Sequence, residues 1–103
     1  MTEIKTNSKS TVWWVYIIEA DDGSMYTGIT TDVTRRFREH AQSPKGARYF
    51  NGRKPKAVKY VERCADRSSA SKREYQIKSL TAAKKRTLIS LQASDTQAHT
   101  EGN

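Results

Sequence analysis

At 103 residues and 35% hydrophobic, the chain is expected to form one domain with a modest core, leaving no room for a separate recognition domain. Its net charge is +8, and residues 35 to 86 carry 17 of the 19 basic side chains against four acids; that segment suits nucleic acid, with a solvated basic face lacking any partner as the alternative. A lone cysteine, Cys64, excludes an intramolecular disulfide and makes a poor zinc site, and no run of residues is apolar enough for a signal peptide or a membrane span, so a cytoplasmic protein free of membranes is expected.

Residues 1–11 read as a polar tail. Trp13 to Ala20, rich in aromatic and β-branched residues, reads as a strand, and Asp21-Asp22-Gly23 follows as a turn before a returning strand from Met25 to Ile29. A three-residue loop commonly places its third residue in the left-handed region, which Gly23 adopts without a Cβ penalty. The resulting register sets Tyr16 opposite Gly28 and Ile18 opposite Tyr26, so both tyrosines emerge on one sheet face. Gly28 then leaves space opposite Tyr16, room for a water.

Thr30, Thr31 and Asp32 are N-cap candidates for a helix whose Val33, Phe37 and Ala41 recur at four-residue spacing, with Pro44 ending it. Arg36 and His40 lie beside that stripe and are expected to project inward to the hairpin, while Arg35, Arg38 and Glu39 face water. The connection from Gln42 to Pro55 interleaves Lys45, Arg48, Arg53 and Lys54 with Tyr49 and Phe50. Such cations can contact phosphates; the rings either stack on exposed bases or pin the loop to the core.

Lys56 to Cys64 alternates imperfectly and reads as a third strand. A helix starting near Asp66 or Ser68 carries Ala70, Glu74, Ile77 and Leu80 at helical spacing. Thr81 caps a last helix with Leu88, Ile89 and Leu91, and residues 93–103 read as a second polar tail. The order strand, strand, helix, strand, helix, helix predicts an α+β domain over residues 12–92, a small three-stranded, mainly antiparallel sheet flanked by helices.

These residues resemble the GIY-YIG nucleases. That family's first motif is similar to Trp14-Val15-Tyr16, with two departures, and its second to Tyr26-Thr27-Gly28, with one. The family's arginine, ten residues after the second tyrosine, matches Arg36, and its histidine, four further on, matches His40. Its glutamate, on a later helix, matches Glu74 in Arg73-Glu74-Tyr75-Gln76-Ile77-Lys78. The asparagine that some members add after that helix has no counterpart, since Asn51 precedes the helix and Asn103 ends the chain. The resemblance runs from about Val12 to Leu91. The wording Tyr26-Thr27-Gly28-Ile29-Thr30 and the loop Gly46-Ala47-Arg48 are most similar to the family's small stand-alone bacterial branch.

Phosphodiester hydrolysis needs an activated water, positive charge on the non-bridging oxygens and help for the leaving oxygen, usually with a divalent metal. Arg36 can clamp a phosphate through its planar fork, or be one solvated arginine among many. His40 can bond a phosphate or a tyrosine hydroxyl, shuttle a proton, or be a polar edge residue. Tyr16 and Tyr26 are otherwise ordinary strand aromatics; the resemblance implies Tyr16 as the base and Tyr26 as its orienting partner. Glu74, the single acid between Asp66 and Asp95, falls in an apolar stripe where an unpaired carboxylate is costly and metal ligation would compensate. Yet Ser71-Lys72-Arg73-Glu74 also spells a capping box for a helix beginning at Ser71. The reading is a metal-dependent endonuclease, Mg2+ being the expected cofactor, acting on nucleic acid, DNA ahead of RNA, with little sequence preference and no small-molecule cofactor. A non-catalytic nucleic-acid-binding module and an RNA- or ribosome-associated basic protein are the alternatives.

Overall fold

The computed structural model describes residues 12–42 and 46–101, with side chains through residue 94. The expected tail at 1–11, Pro44 as a helix stop and Lys45 as a phosphate contact lie outside the described residues. Strand β1 (Trp13–Ala20) runs down the middle of an antiparallel sheet, between β2 (Met25–Thr30) and β3 (Pro55–Cys64). The hairpin has the expected register, with Tyr16 opposite Gly28 and Ile18 opposite Tyr26. Its turn closes through the Ala20 N–H to the Ser24 carbonyl at 2.8 Å, with Gly23 at a φ of +86°.

Alternation along β1 divides the core in two. Val15 and Ile17 point to one face, where α2 (Arg67–Lys78) contributes Ala70 and Ile77 and α3 (Ala82–Glu101) contributes Leu88 and Ile89. Tyr16, Ile18 and Ala20 point to the other, against Val33 and Phe37 of α1 (Val33–Gln42) and Phe50 of a short 3-10 turn, Arg48–Phe50. The sheet is therefore covered on both faces, and the two tyrosines share the α1 face.

The imperfect alternation of β3 has a backbone cause. Its register against β1 shifts between Ile17 and Ile18, where the partner passes from Tyr60 to Val58 and Lys59 is left over as a bulge. On the outer edge of β3 the Gln92 side chain of α3 accepts from the Val61 N–H at 3.2 Å and donates to the Val61 carbonyl at 2.6 Å. That amide supplies the pairing a further strand would have made.

Each helix starts on a side-chain cap. Asp32 accepts from the Arg35 N–H at 3.0 Å, Asp66 from the Ser69 N–H at 2.8 Å, and Thr81 from the Lys84 N–H at 3.2 Å. Since α2 begins at Arg67 under Asp66, Ser71 and Glu74 lie inside the helix, and the capping-box alternative for Glu74 fails. Helix α3 continues to Glu101, so the expected polar tail from Ala93 is helical as far as that residue. Neither Gly nor Pro stands between Thr81 and Gly102 to stop it. Among the described residues no helix is long and apolar enough to cross a membrane.

Candidate active site

Tyr16 is central to the site because β1 is central to the sheet, and its side chain is 1% exposed. The space expected opposite it at Gly28 is filled by the ring itself. A Cβ built on Gly28 would stand 2.5 Å from Tyr16 Oη, 2.7 Å from Cζ and 3.0 Å from Tyr26 Cε2. The glycine thus seats the phenol ring and leaves no room there for a water. The ring is buried and hydrogen-bonded and has nowhere to swing, so Gly28→Ala should cost about 1–3 kcal/mol of stability through overpacking. Urea unfolding of the variant against wild type checks this, and an unchanged midpoint would contradict the seating role.

Two side chains of α1 converge on the Tyr16 hydroxyl. His40, 5% exposed, places Nε2 2.9 Å from Oη, and the Arg36 guanidinium lies near enough for its charge to favour the phenolate. His40 Nδ1 accepts the backbone N–H of Ala47 at 3.0 Å. A nitrogen that accepts carries no proton, so in the neutral ring the proton sits on Nε2, which donates to Tyr16. Burial, with Arg36 nearby, pushes the His40 pKa down to about 4, so the ring is neutral at pH 7. Burial also raises the Tyr16 phenol above its ordinary value; Tyr26 adds to the rise, while the nearby Arg36 guanidinium opposes it. Among the expected roles of His40, the bond to a tyrosine hydroxyl is the one its geometry provides.

Glu39, expected in water, is half-buried and holds Arg36 at 2.8 Å and Arg35 at 3.8 Å. Its position three residues after Arg36 was the available signal. Tyr26, half-buried, lies with its ring centroid 6.2 Å from that of Tyr16 and 5.3 Å from that of His40, and it packs on Tyr49 and Phe50 at 5.2 and 5.4 Å. Both loop rings therefore pin the connection onto the site.

Glu74 lies midway along α2 between the buried Ala70 and Ile77, its side chain 23% exposed and 3.3 Å from Lys78. Its negative charge reaches the Tyr16 hydroxyl, where it raises the phenol pKa. Among the described residues no three His, Cys, Asp or Glu side chains gather closely enough to hold a metal by themselves. One carboxylate with a weak, largely exposed lysine partner still fits Mg2+, which keeps several waters and completes its shell with substrate phosphate oxygens.

Of the four expected phosphate contacts, Arg48 and Lys54 are exposed cations. Arg53, partly exposed, also braces the structure: its Nε is 2.9 Å from Asp22 Oδ2, its Nη1 donates to the Tyr49 carbonyl at 3.1 Å, and its guanidinium stacks 4.3 Å over the Tyr49 ring. A cleft of about 320 Å3 opens beside Arg36, lined in part by Trp13, Thr31, Arg35 and Arg67. Neither Trp13 nor Arg67 carried a sequence signal for that position.

Known proteins resemble this chain over most of its length. A family model described as the GIY-YIG catalytic domain matches residues 12–87. The UPF0213 protein DP2720 of Desulfotalea psychrophila is 56% identical over 77 residues, covering 75% of this chain and 70% of that one. The UPF0213 protein YhbQ of Salmonella typhimurium is 43% identical over 79 residues, covering 77% and 78%. The solution NMR structure of the UPF0213 protein BH0048 from Bacillus halodurans, 45% identical, covers 78% of this chain and 84% of its own with a TM-score of 0.50. It shares the three-stranded antiparallel sheet and the order of strands and helices.

Proposed function

The chain belongs to the GIY-YIG family, and from that premise we propose that it is a divalent-metal-dependent endonuclease, cutting nucleic acid, DNA ahead of RNA, with little sequence specificity. The observation that carries this reading is the convergence of Arg36 and His40 on the Tyr16 hydroxyl, within electrostatic reach of Glu74. Each residue has one part. Tyr16 takes the proton of the attacking water as the new P–O bond forms and the bond to the leaving oxygen breaks, that oxygen taking up a proton from solvent. Arg36 has five N–H donors, enough to serve Glu39 and a non-bridging phosphate oxygen together. His40 orients the phenol, and Tyr26 packs beside it to fix the His40 ring. Glu74, with substrate oxygens, would hold the cation, which when bound neutralises phosphate charge and stabilises the leaving oxygen. Arg48 and Lys54 would bind the backbone electrostatically, a contact that carries no sequence information.

Incubation with supercoiled plasmid, branched DNA and RNA, each with Mg2+ or EDTA, tests the proposal. Nicking or cleavage that needs Mg2+ and is lost in EDTA is the expected result. Binding without cleavage of all three substrates would leave a non-catalytic module; binding and cutting of RNA alone would redirect the reading to RNA.

A further inference from the structure

We infer that Gly46 and Ala47 are positioning residues of this site: the Ala47 N–H, brought against α1 by the missing side chain at Gly46, holds His40 in the one tautomer that donates to Tyr16. The inference rests on the proposed endonuclease reading for its effect on rate, whereas the tautomer is a property of the folded chain.

A Cβ built on Gly46 would stand 2.7 Å from the Glu39 carbonyl oxygen, 2.7 Å from His40 Cα and 3.2 Å from the Glu39 carbonyl carbon. All three atoms are backbone of α1, so no side chain can swing aside to admit it. Conformation is not the reason for glycine here, because the described glycines with positive φ are Gly23 and Gly52. Space is the reason. The loop lies on the end of the helix closely enough that the next residue, Ala47, reaches His40 Nδ1. Further along, Phe50 packs on the His40 ring at 4.7 Å between centroids. The far end of the loop is tied to the hairpin tip, where Arg53 bonds Asp22 and the Lys54 N–H donates to Asp21 Oδ1 at 3.3 Å. The donor that meets Nδ1 is thus fixed from both sides.

The consequence falls on Tyr16. With Nδ1 occupied, Nε2–H donates to Oη, and the phenol's own O–H must point away from it. In the other tautomer Nε2 would accept the phenol proton and draw it into the cluster, and Nδ1–H would face the Ala47 N–H, donor against donor. A backbone amide therefore keeps on Nε2 the proton that donates to Oη, and once the phenol ionises that donor stabilises the phenolate which takes the proton of water.

The test is 15N NMR of the histidine side chains, with His40 assigned by its loss in His40→Gln. Wild type should show a protonated, pyrrole-like Nε2 and a pyridine-like Nδ1 at neutral pH; the reverse pattern overturns the inference even if Gly46→Ala fails to fold. Gly46→Ala should show an averaged or reversed pattern and a turnover rate lowered about 10²-fold, the scale of a misplaced reacting group, with substrate affinity kept. In a His40→Gln background the same change should cost much less, because the acceptor is already gone. A Gly46→Ala protein with the wild-type pattern and wild-type turnover, or equal losses in both backgrounds, refutes the inference. If wild type cuts nothing, the spectra still decide the tautomer while the endonuclease reading fails separately.

Discussion

Glu74→Gln is expected to lower Mg2+-dependent cleavage by about 10³-fold while leaving the fold intact. Glutamine keeps the size and hydrogen-bonding reach of the side chain and removes its charge, so a cation loses its one protein carboxylate. The stability change should be small for two reasons that the structure supplies. Asp66 caps α2, so Glu74 is no cap, and its partner Lys78 is an exposed i,i+4 cation; such pairs contribute about 0.3–0.5 kcal/mol. Affinity for nucleic acid should hold or rise slightly, since one negative charge leaves a basic surface. Nicking rates at several Mg2+ concentrations, a gel-shift titration and urea unfolding separate these effects. Cleavage by wild type that persists in EDTA would sink the metal role. A variant that loses activity and stability in step would return Glu74 to a structural part.

The amino-acid sequence carries the features of the fold and the site to different depths. The hairpin register followed from a local signal, the turn Asp21-Asp22-Gly23, and with it the shared face of Tyr16 and Tyr26. Helix starts followed to within a few residues, because a cap bonds to a backbone N–H close by: the structure selects Asp32 from Thr30, Thr31 and Asp32, Asp66 over Ser68 and Ser71, and Thr81 as expected. Arg36 and His40 followed from helical phase. What stayed illegible depends on contacts far apart in the chain or on where a ring settles. Gly28 announces a missing side chain, but not that the Tyr16 ring lies over it. Arg53 reads as one more loop cation until the hairpin tip brings Asp22 beside it. Ala47 offers no side-chain chemistry at all, and its part at His40 is played by a backbone N–H that every non-proline residue has. The bulge at Lys59 blurred the alternation of β3 for the same reason, since pairing with β1 decides which residue is left over.

Tyr16→Phe should lower the cleavage rate by about 10²-fold or more and remove the alkaline rise in activity that wild type shows. His40 is a poor rival for the base: its Nδ1 lone pair accepts the Ala47 N–H, its Nε2 carries the proton, and its pKa near 4 marks a weak base. Tyr16 has the opposite difficulty. Burial holds its pKa above the ordinary value, so at pH 7 the phenolate is a minor form despite the nearby Arg36 charge and the His40 N–H donating to it. The rate should therefore follow the phenolate fraction and rise about tenfold per pH unit below the operative pKa. Stability runs the other way. Because the folded pKa lies above the unfolded value of about 10, the protonated phenol stabilises the fold fully below pH 10, and that contribution is lost as pH rises through the folded pKa. The rise should be sought between about pH 7 and 9.5, short of that loss. Removing the hydroxyl also leaves the buried His40 N–H without its acceptor, a cost of about 1–3 kcal/mol that urea unfolding would register without loss of the fold. A Tyr16→Phe enzyme that stays folded, cuts at the wild-type rate and keeps the alkaline limb would remove Tyr16 from the reaction.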